Sequence, residues 1–156
     1  MQTATYHVSS SRWPANVGLG WVTLTLALAV HVVDEAAHDF LTMYNANVRI
    51  IREHVPWLPV PIFSFRTWIA GLLLAIVLLL LLSPFAFRKE GAGARWIRPM
   101  AWFLAALMTL NGLNHIAASI YLGRLAPGVE SSPVLLLASA YLVFCLCLSR
   151  TTVKPR

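Results

Sequence analysis

Leu72-Leu-Leu-Ala-Ile-Val-Leu-Leu-Leu-Leu-Leu82 runs eleven residues without a polar side chain. It lies inside a longer apolar run, about Thr67 to Phe87, which at about 1.5 Å per residue is long enough to cross about 30 Å of hydrocarbon. A surface helix of a soluble protein needs a polar face, and this stretch has none. Three further apolar runs flank it, about Val17–Ala37, Trp96–Leu122 and Pro133–Ser149. The pattern predicts an all-α fold, an integral membrane four-helix bundle that fills residues 1–156 as a single four-span domain. The first connection, Asp39 to Arg66, holds Pro56, Pro59 and Pro61 and an Arg49-Ile-Ile-Arg52-Glu53-His54 stretch. It is too broken and too mixed to span, and it reads as a short interfacial helix followed by a proline-stiffened return. Trp13, Trp57, Trp68 and Trp96 sit near span ends and are expected in an interfacial belt.

Composition agrees with the class. The chain of 156 residues is 58% hydrophobic and 12% charged, against about 25% charged in a soluble domain. The net charge of +6 is scattered over loops and tails, so membrane lipid is the expected partner and nucleic acid is not. Eight basic residues (Arg12, Arg88, Lys89, Arg95, Arg98, Arg150, Lys154, Arg156) fall on one side of a four-span topology and four (Arg49, Arg52, Arg66, Arg124) on the other. By the positive-inside rule both termini are cytoplasmic. The first run lacks a basic leader and an A-x-A site, and it is expected to be retained rather than cleaved. Cys145 and Cys147, two apart on a helix, point about 200° from each other and cannot bridge. They read as packing residues.

The first span carries His31-Val-Val-Asp34-Glu35-Ala-Ala-His38. At 100° per residue Asp34, Glu35 and His38 fall at about −60°, +40° and −20° from His31, inside one arc of about 100°. One ionisable group at bilayer depth costs roughly 2.5–3.5 kcal/mol on insertion scales. An anchor has no use for four of them, so the stripe reads as a site. The third run repeats the i, i+3, i+4 pattern in Asn111, Asn114 and His115. His31 lies fourteen residues beyond Val17, and Asn111 fourteen beyond Ile97. Both stripes therefore begin about 21 Å up two parallel spans, where they can satisfy each other in a polar pocket in the non-cytoplasmic half of the membrane. The fourth run offers Ser139 and Tyr141 at its own level.

These residues carry a resemblance. The chain resembles the HXXEE family, small bacterial multi-span membrane proteins with a His-x-x-Glu-Glu motif, here His31-Val-Val-Asp34-Glu35 with Asp in the first Glu position. The family's N-x-x-x-H pattern corresponds to Asn111 and His115. Its Tyr-x-Pro-Gly motif corresponds to Leu125-Ala-Pro127-Gly128, with Leu in the tyrosine position. The resemblance implies a multi-span membrane protein and names no reaction; the bacterial inner (cytoplasmic) membrane is the expected location.

The residue types admit several chemistries. His31, Glu35 and His38 at i, i+4 and i+7, with His115 from the third span, could hold a divalent metal such as zinc, which takes N/O ligands of this kind and would neutralise buried carboxylates. Without metal, Asp34 and Glu35 could work as acid, with His31 or His115 as base and Asn111, Asn114 and Tyr141 binding or orienting a lipophilic small molecule. Hydrolysis, isomerisation or cyclisation of such a substrate would suit a site inside a bilayer. Two other readings remain open: proton or ion handling, which would call for a homo-oligomer to form a pathway, and an interhelical polar clasp with no catalysis.

Overall fold

The computed structural model describes residues 16–88 and 91–150. Among them are five helices and no strand: α1 (Val17–Ala37), α2 (Phe40–His54), α3 (Phe65–Ala86), α4 (Ala92–Leu122) and α5 (Ser132–Arg150). Four of these, all but α2, are long and apolar enough to cross a membrane. The four span boundaries expected from the sequence fall within a turn or so of the observed ones. Trp13-Pro14 and the basic residues Arg12, Lys89, Lys154 and Arg156 lie outside the described residues.

Local chemistry sets the helix ends. Asn16 caps α1 by accepting from the Leu19 amide, and Ser64 caps α3 by accepting from the Thr67 amide, each satisfying one of the N–H donors a helix start leaves orphaned. Gly123 closes α4 in the left-handed region at φ 61°. Pro133 sits in the first turn of α5, where its missing N–H costs nothing.

Helices α1 and α4 each pack along both α3 and α5. They run parallel and face each other across the middle of the bundle. The core forms in the space between them, from Trp21, Leu24, Leu28, Ala101, Ala105 and Met108, with Leu135, Leu142 and Leu146 of α5. Gly20 lets α5 approach closely, since a Cβ there would lie 3.0 Å from the Leu142 Cα. The Trp21 indole N–H donates to the Leu79 carbonyl over 2.8 Å and ties α1 to α3. Much of α3 turns outward, as an aliphatic helix facing lipid should.

The first connection closes one end of the bundle. Helix α2 is a full 15 residues, amphipathic, with Leu41 and Val48 buried. Its own return strap holds it: Asn45 exchanges two hydrogen bonds with the Phe63 backbone, Tyr44 donates to the Pro61 carbonyl, and the Arg52 guanidinium donates twice to the Val60 carbonyl. The prolines keep these carbonyls out of helix or sheet and so available to the side chains. Trp57 and Trp96 are exposed near span ends as a belt requires. Trp68 is not: it is buried against Phe40 and Phe65, because α2 folds down over the start of α3.

Candidate functional site: a buried His/Glu cluster with a serine-linked carboxylate

His31 and Glu35 lie one turn apart on the inward face of α1, and His115 reaches them from α4. The His31 and His115 rings meet edge to face, centroids 4.8 Å apart at 73°. Glu35 Oε1 lies 3.6 Å from His31 Nε2 and 3.0 Å from His115 Nε2. One ligand atom from each of the three residues falls within 4.8 Å of the others. All three are buried, His31 completely and His115 to 1% exposure.

Hydrogen bonds decide how His31 presents its ring. The Ser131 hydroxyl donates to Asp34 Oδ2 at 2.6 Å, and the Ser131 amide donates to the same oxygen at 2.8 Å. The Ser131 oxygen also lies 2.7 Å from His31 Nδ1. Since the hydroxyl proton is used on Asp34, this oxygen accepts, and His31 carries its proton on Nδ1. The lone pair of Nε2 then points inward, where Asn111 Nδ2 donates to it over 3.1 Å. A carboxylate orienting an imidazole so that its far nitrogen is free is a recurrent second layer of both metal and acid–base sites; here a serine stands between the two.

His115 is held differently. Glu35 Oε1 is close to its Nε2 but out of line with the N–H direction, and neither ring nitrogen makes a hydrogen bond among the described residues. Phe40 packs 5.5 Å from the ring. On another side lies Gly128, at φ 84°, where a Cβ would come within 2.8 Å of the imidazole. Only glycine leaves that space and adopts that backbone at little cost.

The predicted site residues thus separate. His31, Asp34, Glu35, Asn111 and His115 come together. His38 does not join the metal set: α1 ends at Ala37, so His38 leaves the helical track and turns outward to pair with Asp34 Oδ1 at 2.8 Å. That contact, led by the hydrogen bond to the Asp34 carbonyl oxygen, raises the His38 pKa above 6.5. Asn114 is exposed; the buried arc of α4 is centred on the line through Ile97, Met108 and His115, and Asn114 stands one residue, about 100°, away from it. Tyr141 lies about 14 Å along α5 from Ser132 and is 39% exposed, outside the cluster. Ser139 is buried, its hydroxyl donating to its own helix at Leu135. The residues the sequence reading missed are Ser131, Phe40 and the role of Gly128. The Pro127-Gly128 turn signal marked the right loop without saying that it seats on His115.

The profile of a family described as "Protein of unknown function with HXXEE motif" matches residues 22–143. The chain belongs to the HXXEE family. No curated protein and no solved structure matches it. In this HXXEE protein the motif histidine and its final glutamate point into the cluster, while Asp34, in the middle acidic position, faces Ser131 and His38 instead. The motif therefore encodes two layers: groups that converge, and a carboxylate that orients one of them.

Next to the cluster, a cavity of about 510 Å³ opens between α2 and the α4–α5 turn, lined among others by His38, Thr42, Asn47, Arg124, Pro127 and Glu130. Its wall shares His38 with the Asp34 network.

Proposed function

We propose that this protein is an integral membrane enzyme of the bacterial inner membrane, with both termini cytoplasmic, whose His31, Glu35 and His115 hold a divalent metal ion of the zinc type and act on a lipophilic substrate, most directly by hydrolysis. The observation that carries the reading is His115, buried with neither ring nitrogen in a hydrogen bond among the described residues, its Nε2 3.0 Å from the Glu35 carboxylate and a second imidazole alongside. An unpartnered buried polar atom is costly, and a bound ion would take the lone pair of one of the two ring nitrogens. Two histidines and a glutamate form a known zinc donor set, one that leaves a coordination position open for water or substrate. His31 offers the lone pair of Nε2, which Asn111 otherwise caps; Glu35 offers charge to offset the ion. When bound, the ion would activate water or polarise a substrate carbonyl or phosphoryl oxygen. The chain's own part is to orient His31 through Ser131 and Asp34, and to exclude bulk water with Phe40 and the Pro127-Gly128 turn. The neighbouring cavity, with Arg124 and His38 in its wall, suits the polar head of an amphiphile whose tail lies in lipid.

The test is elemental analysis of detergent-purified protein. A stoichiometric divalent ion, lost in both His115→Ala and Glu35→Gln, is expected. Trace metal that leaves folding unchanged on removal overturns the metal reading. Metal-free acid–base chemistry, isomerisation or cyclisation with His31 as base, would then be favoured by the Asp34–Ser131–His31 chain.

A further inference from the structure

We propose that two copies of this chain pair in the membrane through the outer face of α4, with their Asn114 side chains meeting. The inference is independent of the metal site. Phe103, Leu107, Leu110, Asn114, Ala117 and Tyr121 follow one another at steps of four, three, four, three and four residues, and all six are exposed. That is the heptad spacing by which two parallel helices bury a common seam, and a lone asparagine in such a seam is the device that sets register and partner number.

Asn114 turns this line from a lipid face into an interface. It stands 16 residues beyond Arg98, about 24 Å along the helix and so within a hydrocarbon layer about 30 Å thick. Its amide makes no hydrogen bond among the described residues, and acyl chains offer none. The outward side chains of α3, by contrast, are aliphatic: Leu73, Leu74, Val77, Leu78, Leu80 and Leu81. A carboxamide carries both donors and an acceptor, so the best partner for one is another like it. A second copy with the same membrane orientation, related by a twofold axis along the membrane normal, brings α4 against α4 in parallel and sets each Asn114 opposite its equivalent. Ala117, one turn on, allows close approach of the two backbones.

The experiment uses full-length protein in liposomes, with Cys145 and Cys147 replaced by alanine. Asn114→Cys and Leu107→Cys are expected to cross-link under mild oxidation, while Val77→Cys on α3 is not. Asn114→Leu should weaken pairing roughly three- to twentyfold, read by single-molecule photobleaching at low protein density, and Asn114→Gln should restore part of it. Metal content should be the same in Asn114→Leu as in the parent. A parent protein that stays monomeric in bilayers, equal cross-linking from α3 and α4, or undiminished pairing in Asn114→Leu would each overturn the proposal.

Discussion

The Ser131 hydroxyl oxygen lies 2.7 Å from His31 Nδ1, a contact between residues one hundred positions apart. It decides which nitrogen of His31 faces the cluster, because the same hydroxyl gives its proton to Asp34. Ser131→Ala should remove that orientation. Metal affinity is expected to fall about ten- to a hundredfold, as for other groups that orient a ligand from behind. Leaving the His31 N–H and the Asp34 carboxylate short of a partner should also lower stability by about 1–3 kcal/mol. Metal titration and thermal melts on the same preparations separate the two effects.

Gly128 is the second position where a small change should be felt at the centre. Gly128→Ala asks an L-residue to hold φ 84° and sets a methyl group within 2.8 Å of His115. The backbone alone should cost about 1–2 kcal/mol, and the His115 ring must be displaced from its present position. We expect a lower melting temperature together with lost metal retention. A melting temperature equal to the parent's would mean that the turn does not seat as described.

His38 makes a pH prediction. Its hydrogen bonds to the Asp34 carbonyl and carboxylate, with Glu130 nearby adding charge, raise its pKa above 6.5. A raised folded-state pKa means that the fold holds the proton more tightly than the unfolded chain does. The stabilisation is complete below pH 6.5 and is lost as pH climbs through the higher folded value. The ring is half exposed, so the effect should be small. NMR titration of the imidazole should give a midpoint above 6.5, and His38→Ala should flatten stability across that window. A midpoint at or below 6.5 contradicts the pairing.

Trp21 tests the bundle apart from the site. Trp21→Phe keeps an aromatic ring but removes the donor to the Leu79 carbonyl and leaves a gap at a fully buried position. A loss of about 1–3 kcal/mol is expected, read by denaturant titration in mixed micelles. Metal content should not change, since Trp21 lies about 15 Å below His31 along α1.

Much of this was legible in the chain. Hydropathy alone marks four spans, because an apolar run of about 20 residues such as Thr67–Phe87 matches the thickness of the hydrocarbon layer. Helical periodicity put His31 and Glu35 on one face and Asn111 and His115 on another, and counting residues from the span starts set them at one height. Periodicity could not say where the helix stops or which arc turns inward. It therefore groups His38 with His31, although α1 ends one residue before it, and Asn114 with His115, although the packing of α4 leaves it outside.

The amino-acid order by itself determined the class, the spans and the pairing of polar stripes, because these depend on residues near in sequence and on a uniform apolar solvent. Tertiary structure alone decided that a serine from the α4–α5 turn orients His31, that a glycine two residues after Ala126 makes room for His115, and that neither His115 ring nitrogen makes a hydrogen bond among the described residues. Those facts depend on groups far apart in the chain meeting at distances of about 3 Å, where one hydrogen-bond direction sets which atom is free to act.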